Sequence, residues 1–91
     1  MLFMIIERFD QNDMVPVYQL AKEKGRQLPE GLDYVNSWIA ADFSRCFQLM
    51  RCNDALLLQQ WVLSWRGTGA TFEIVPVVPS VETRSAVEPL L

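Results

Sequence analysis

An α+β domain, with one antiparallel sheet and two helices on a single face, is what this sequence predicts, and three observations predict it. Four β-rich apolar runs, at residues 2–9, 32–40, 45–52 and 71–78, are interleaved with two stretches whose apolar residues recur at helical spacing. Turn formers (Asp, Asn, Gly, Pro) punctuate the boundaries. The two middle runs are separated only by a short loop through Asp42, which is hairpin spacing and implies antiparallel pairing.

The elements follow in order. Leu2–Phe9 is nearly continuous in apolar residues until Glu7 and Arg8, as suits a central strand covered on both faces. Asp10–Asp13 forms a polar turn that offers an N-cap, and Pro16 fits only the first turn of the helix that follows. Met14, Val17, Tyr18 and Ala21 line one side of that helix, Lys22, Glu23 and Lys24 lie outward, and Gly25 stops it. Leu32–Ala40 and Arg45–Cys52 are the hairpin strands. Asn53 and Asp54 cap a second helix with the stripe Leu57, Leu58, Trp61, Val62 and Trp65, ended by Gly67 and Gly69. The two tryptophans sit on that stripe and read as core. Thr71–Val78 is the last strand. Pro76 cannot donate to a sheet ladder, so this strand belongs at an edge or carries a bulge. Ser80 can cap a short C-terminal helix. The organisation is one domain over residues 1–79 with a helical tail over 80–91.

The order strand, helix, strand, strand, helix, strand is the ferredoxin-like split βαβ arrangement, βαββαβ. It leaves one sheet face without helices, and here that face is too apolar to be wholly solvated. A second copy packed sheet to sheet covers it, so the expected assembly is a homodimer enclosing a barrel-like space. A domain of 91 residues buries only somewhat over ~60% of its unfolded surface, which makes association an ordinary source of stability. The 51% hydrophobic content, with three Trp, five Phe and two Tyr, points the same way.

Charge and composition set further bounds. The net charge of −3 has no basic cluster behind it, which argues against nucleic acid as a partner. No stretch approaches the ~20 apolar residues of a membrane span. The N-terminal run MLFMII enters Glu7 directly, unlike a secretory leader, so the expected location is cytoplasmic. With no histidine, the commonest general base and the commonest metal and haem ligand are missing, and neither a metal nor a cofactor is expected. Cys46 and Cys52 on one strand would lie ~20 Å apart, too far for a bridge, and read as reduced thiols packed as small hydrophobes.

Polar residues inside the apolar runs mark where function would sit. Strand alternation puts Val35, Ser37, Ile39, Phe47 and Leu49 toward the helices. It puts Tyr34, Asn36, Trp38, Ala40, Cys46, Gln48, Met50 and Cys52 on the open face, with Phe3, Ile5, Glu7, Glu73, Val75 and Val77. The candidate ligand-binding residues are therefore Tyr34, Asn36, Trp38, Gln48 and Met50, a few polar groups on an aromatic wall. Their amides can grip a carbonyl, carboxylate or phenol oxygen, or bond one another across a dimer seam. Glu7 is the candidate catalytic base if burial raises its pKa, although its place near a strand end favours a surface carboxylate or a pair with an Arg. Arg45 and Arg51 read as solvated strand ends, either of which could reach an anionic ligand at a cavity mouth.

The blocks MLFMIIERF, LPEGLDYVNSW, RCFQLMRCND and FEIVPVV make the chain similar to a family of short bacterial proteins catalogued as a domain of unknown function (DUF3303), over nearly all of residues 1–80. The resemblance implies a dimeric α+β-barrel domain and no assigned activity. The wider superfamily of that architecture includes cofactor-free oxygenases, small isomerases, haem-degrading enzymes and ligand binders. Some of those oxygenases place Asn and Trp near a bound polyphenol, which points at Asn36 and Trp38. Three functions are compatible with these features. The first is a binder of a small apolar or aromatic metabolite in a cavity on the open sheet face. The second is a cofactor-free monooxygenase- or isomerase-like enzyme acting on a carbonyl or phenolic substrate. The third is a structural or partner-binding module.

Overall fold

The computed structural model describes residues 1–91. Strand β1 (Leu2–Arg8) leads through a 3-10 turn (Asp10–Asn12) to helix α1 (Val15–Lys24). Strands β2 (Asp33–Ile39) and β3 (Arg45–Arg51) form the hairpin. Helix α2 (Ala55–Leu63), strand β4 (Thr71–Val77), helix α3 (Ser80–Val87) and a terminal 3-10 turn (Glu88–Leu90) complete the chain. The strands lie in the order β2-β3-β1-β4, and each neighbouring pair is antiparallel. This is the ferredoxin-like α+β fold, with β1 in the interior and the proline-bearing β4 on an edge.

Local chemistry explains the element boundaries. The Asp13 carboxylate accepts from the Val15 N–H at 3.0 Å, and Pro16 occupies the first turn of α1, where its missing N–H is not needed. Asp54 caps α2 by accepting from the Leu56 N–H at 2.9 Å. At α3 the expectation fails. Pro79 holds the cap position, Ser80 is already helical, and no side chain caps the helix.

Leu58, Trp61 and Trp65 close over the sheet and meet Phe3, Ile5, Met50 and Cys52 in a single core. The Trp61 ring contacts Trp65 and Phe72 edge-to-face, with centroids 6.5 and 5.5 Å away. The helix-side face of β1 is thus Phe3, Ile5 and Glu7, and that of β3 is Cys46, Gln48 and Met50.

This reverses the face expected for those two strands. Both parities of β1 and β3 are apolar, so hydrophobicity does not choose between them. The polar Glu7 and Gln48 point toward the helices, not away. Strand β2 is divided by a bulge at Val35, between the pairs Tyr34–Met50 and Asn36–Leu49. The extra residue brings Tyr34 and Ser37 to the helix side together. Asn36 and Trp38 stay on the open face, as expected, beside Leu49 and Phe47. Glu73, Val75 and Val77 of β4 also take the open face, against Ile6, Met4 and Leu2.

The tail departs from the globule. Every residue from Val78 to Leu91 is exposed, and the molecule extends 48 Å along its long axis. Its radius of gyration of 15.0 Å exceeds the ~12 Å of a compact chain of this length.

One close approach is diagnostic. Gly69 has φ +80°, and a Cβ there would lie 2.7 Å from the Cβ of Asp10. Gly69→Ala is expected to cost about 2 kcal/mol or more, from strain and overlap together. In thermal denaturation, adding Asp10→Gly should recover the steric part and leave the backbone part.

Candidate functional site

A cavity of about 390 Å³ lies between the sheet and the helices, on the face opposite to the one expected. Strand β1 supplies Glu7 and, just beyond its end, Phe9; β3 supplies Cys46 and Gln48; β2 supplies Ser37 and Ile39. Val17, Tyr18 and Ala21 of α1 close it from above, and Trp61 and Trp65 from the α2 side. Gly25 and Arg26, in the turn after α1, complete the wall.

That turn is held in place from two directions. The Trp61 indole N–H donates to the Arg26 carbonyl at 2.9 Å, and the Gln27 amide donates to the Ser64 carbonyl at 3.1 Å. The Arg26 guanidinium lies over the Tyr34 ring, 3.5 Å from its centroid, in cation–π contact. Arg26 is exposed overall, so it stands at the mouth. It has no carboxylate partner: the chain's one salt bridge joins Arg8 to Glu73 at 3.1 Å on the open face. Beneath it the Tyr34 and Ser37 hydroxyls are 2.6 Å apart and hydrogen bonded.

Glu7 is 4% exposed. Burial away from water pushes its carboxyl up to about 7, although the neighbouring Gln48 side chain favours the charged form. Cys46, its cross-strand neighbour, is pushed up to about 11, chiefly by burial and then by the Glu7 charge, against the opposing influence of Arg26 and Gln48. The thiol therefore stays protonated near neutrality and is a poor nucleophile. Burial and the charges of Cys46 and Glu7 raise Tyr18 as well. The wall thus carries one acid–base group that changes state near pH 7, with an amide beside it and a cation at the rim. One further donor, the Trp65 indole N–H, is buried without a partner.

Of the residues expected to bind a ligand, the structure unites Gln48 with the expected base, Glu7. It does not bring the others to the same wall. Met50 is fully buried in the core because its β3 parity faces the helices. Tyr34 supports Arg26 from behind. The Asn36 side-chain oxygen Oδ1 is used locally, accepting from the Ser37 N–H at 2.8 Å, and Trp38 is half exposed on the other face. Arg45 sits on that other face too, 5.1 Å above the Phe47 ring, and Arg51 shares its parity. Sequence reasoning missed Arg26. Its only signal was a position directly after the helix-stopping Gly25, where the chain turns back over the sheet. Trp61 and Trp65 are core, as expected, and also wall.

The raised carboxyl has a consequence for stability. In the folded chain Glu7 holds its proton to about pH 7, whereas its ordinary value is 4.5. Between these values the folded state binds more protons than the unfolded one, so stability is full at acid pH and falls as pH rises through this window. The loss is on the order of 3 kcal/mol. Glu7→Gln should match the wild type near pH 4 and exceed it at pH 8, as read by urea denaturation at several pH values. A constant difference across that range would contradict the burial assignment.

No helix is long and apolar enough to cross a membrane, and no group of three or more His, Cys, Asp or Glu side chains is placed to hold a metal ion. Cys46 and Cys52 are both buried and free. No curated protein and no solved structure matches the chain. A family model described as a domain of unknown function, DUF3303, matches residues 1–91, and the chain belongs to that family.

Proposed function

We propose that this protein binds a small, largely apolar metabolite bearing a hydroxyl or carbonyl oxygen, in the helix-side cavity, as a homodimer joined through its open sheet faces. The observation that carries the ligand reading is the pairing of Glu7 and Gln48 in an otherwise mostly apolar wall. A cavity of about 390 Å³ falls at the lower end of ligand pockets, ~300–1,000 Å³. A carboxyl kept away from water on a core strand is costly unless something hydrogen-bonds it. A phenol or enol oxygen fits, donating to Glu7 and accepting from the Gln48 amide.

The dimer reading rests on the other face. Leu2, Met4, Ile6, Phe47, Leu49, Val75 and Val77 share it without a helix to cover them, and Trp38 is 50% exposed at its margin. Such a contiguous apolar patch is unusual on a monomer. The Arg8–Glu73 pair at its rim adds little energy at these exposures, but it discourages misaligned pairing. The exposed tail, with Val81, Leu90 and Leu91 uncovered, is a second apolar surface that association would bury.

Two measurements test the parts separately. Titration with 4-nitrophenol should quench the Trp61 and Trp65 fluorescence in a Trp38→Phe background, and Gln48→Ala should weaken binding about tenfold. Native mass spectrometry should give a dimer for the wild type and a monomer for Leu49→Glu, which places a charge in the apolar face. A wild-type monomer would end the dimer reading. Loss of quenching in Leu49→Glu would show that the two faces are not independent.

A further inference from the structure

We propose that the cavity catalyses keto–enol proton transfer on α-keto acids with an apolar or aryl side chain. Glu7 takes the proton from the carbon beside the carbonyl, Gln48 donates to the enolate oxygen, and Arg26 holds the carboxylate at the mouth. The inference rests on the ligand-binding reading above and adds to it a substrate class and a reaction.

Three placements carry it. Glu7 is the only carboxylate in the wall, and it is 4% exposed. Gln48, on the neighbouring strand, lies two residue pairs along the β1–β3 ladder, in the next pair on the same face, where Glu7 faces Cys46 and Ile5 faces Gln48. Arg26 is a cation with no carboxylate partner, flat against Tyr34 and on the wall of the same cavity. An anionic anchor at the rim, a base inside and an aromatic lining from Trp61 and Trp65 together describe an α-keto acid entering side chain first.

The step balances without an external reactant. The C–H bond breaks as an O–H bond forms on Glu7. The electron pair becomes the C=C bond, and the carbonyl pair moves to oxygen, where the Gln48 N–H meets it. Glu7 then returns the proton to that oxygen, giving the enol and restoring the carboxylate. Nothing is oxidised or reduced. A base that ionises near neutrality suits this exchange, and Cys46 beside it stays a neutral thiol that does not attack the carbonyl.

Phenylpyruvate in deuterated buffer supplies the test. Proton NMR follows exchange of its methylene protons, and tryptophan quenching follows its binding. The wild type should accelerate exchange over buffer. Glu7→Gln should bind the probe within about threefold of wild type yet lose roughly 100-fold or more of the acceleration. Glu7→Asp, which keeps the acid at shorter reach, should retain part of it. Arg26→Ala should weaken binding about tenfold with the exchange rate of the bound probe little changed. Binding without accelerated exchange, or full exchange in a folded Glu7→Gln, would overturn the proton-transfer assignment and leave the ligand reading standing. Binding of 4-nitrophenol but not of phenylpyruvate would overturn the α-keto acid class. Failure of both probes to bind would count against the ligand reading itself.

Discussion

The parity of β1 is the constraint on which the rest depends. This strand pairs along its whole length with β3 on one side and β4 on the other. Cross-strand partners must share a face, so the side taken by Ile5 decides the side taken by Gln48 and Ile74 in the same row. Once Phe3 and Ile5 are committed to the helices, Glu7 is carried there too, whatever its own preference for water. A one-residue slip would return Glu7 to solvent, but it would bring Arg8 under α1 and expose Ile5, which has no accessible surface in the observed register. Packing of Ile5 and Phe3 thus places a carboxyl in the core layer.

That forced placement shapes the cavity. The bulge at Val35 rotates Ser37 and Tyr34 toward the same side, and Tyr34 gives Arg26 a flat surface to rest on. The Trp61 N–H holds the Arg26 backbone from the helix layer. These contacts come from different elements, and the cavity they help shape is lined by β1, β2, β3, α1 and α2. The two sheet faces then differ: one carries Glu7, Cys46 and Gln48 beneath the helices, and the other presents Leu2, Met4, Ile6, Phe47 and Leu49 with no helix over them.

The element order, the hairpin, the capped start of α2 and the edge position of β4 were all legible in the sequence, because each rests on local signals such as Asp54 or Pro76. Strand parity was not. Hydrophobic alternation assigns a face only when one parity is polar, and here Met4 and Ile5, or Leu49 and Met50, are equally apolar neighbours. The expectation that polar residues mark the open face therefore misplaced Gln48, Glu7 and Met50, and the bulge at Val35 carried Tyr34 to the helix side as well, while Asn36, Trp38 and Glu73 fell where it put them. Glu7 was singled out as a candidate base, but for a cavity on the other side of the sheet. Arg26 was invisible to pattern reasoning, since its role depends on a turn folding back over Tyr34, a contact between residues separated by a loop.

The choice of residue at position 7 bears on what the cavity is for. A packed module has no use for a buried carboxyl: a leucine there would extend the Phe3–Ile5 row and avoid desolvation, and a glutamine would keep the contact with Gln48 without a charge to bury. Glutamate accepts a loss of stability as pH rises past its ordinary value. Strained or destabilising groups of this kind cluster where a protein needs them for binding or proton transfer. The same wall adds a thiol kept protonated, chiefly by burial, and a guanidinium with no carboxylate partner at the rim. Stability alone explains none of these choices. The proton transfer proposed for this cavity, on an anionic, apolar ligand, would give each of the three a use.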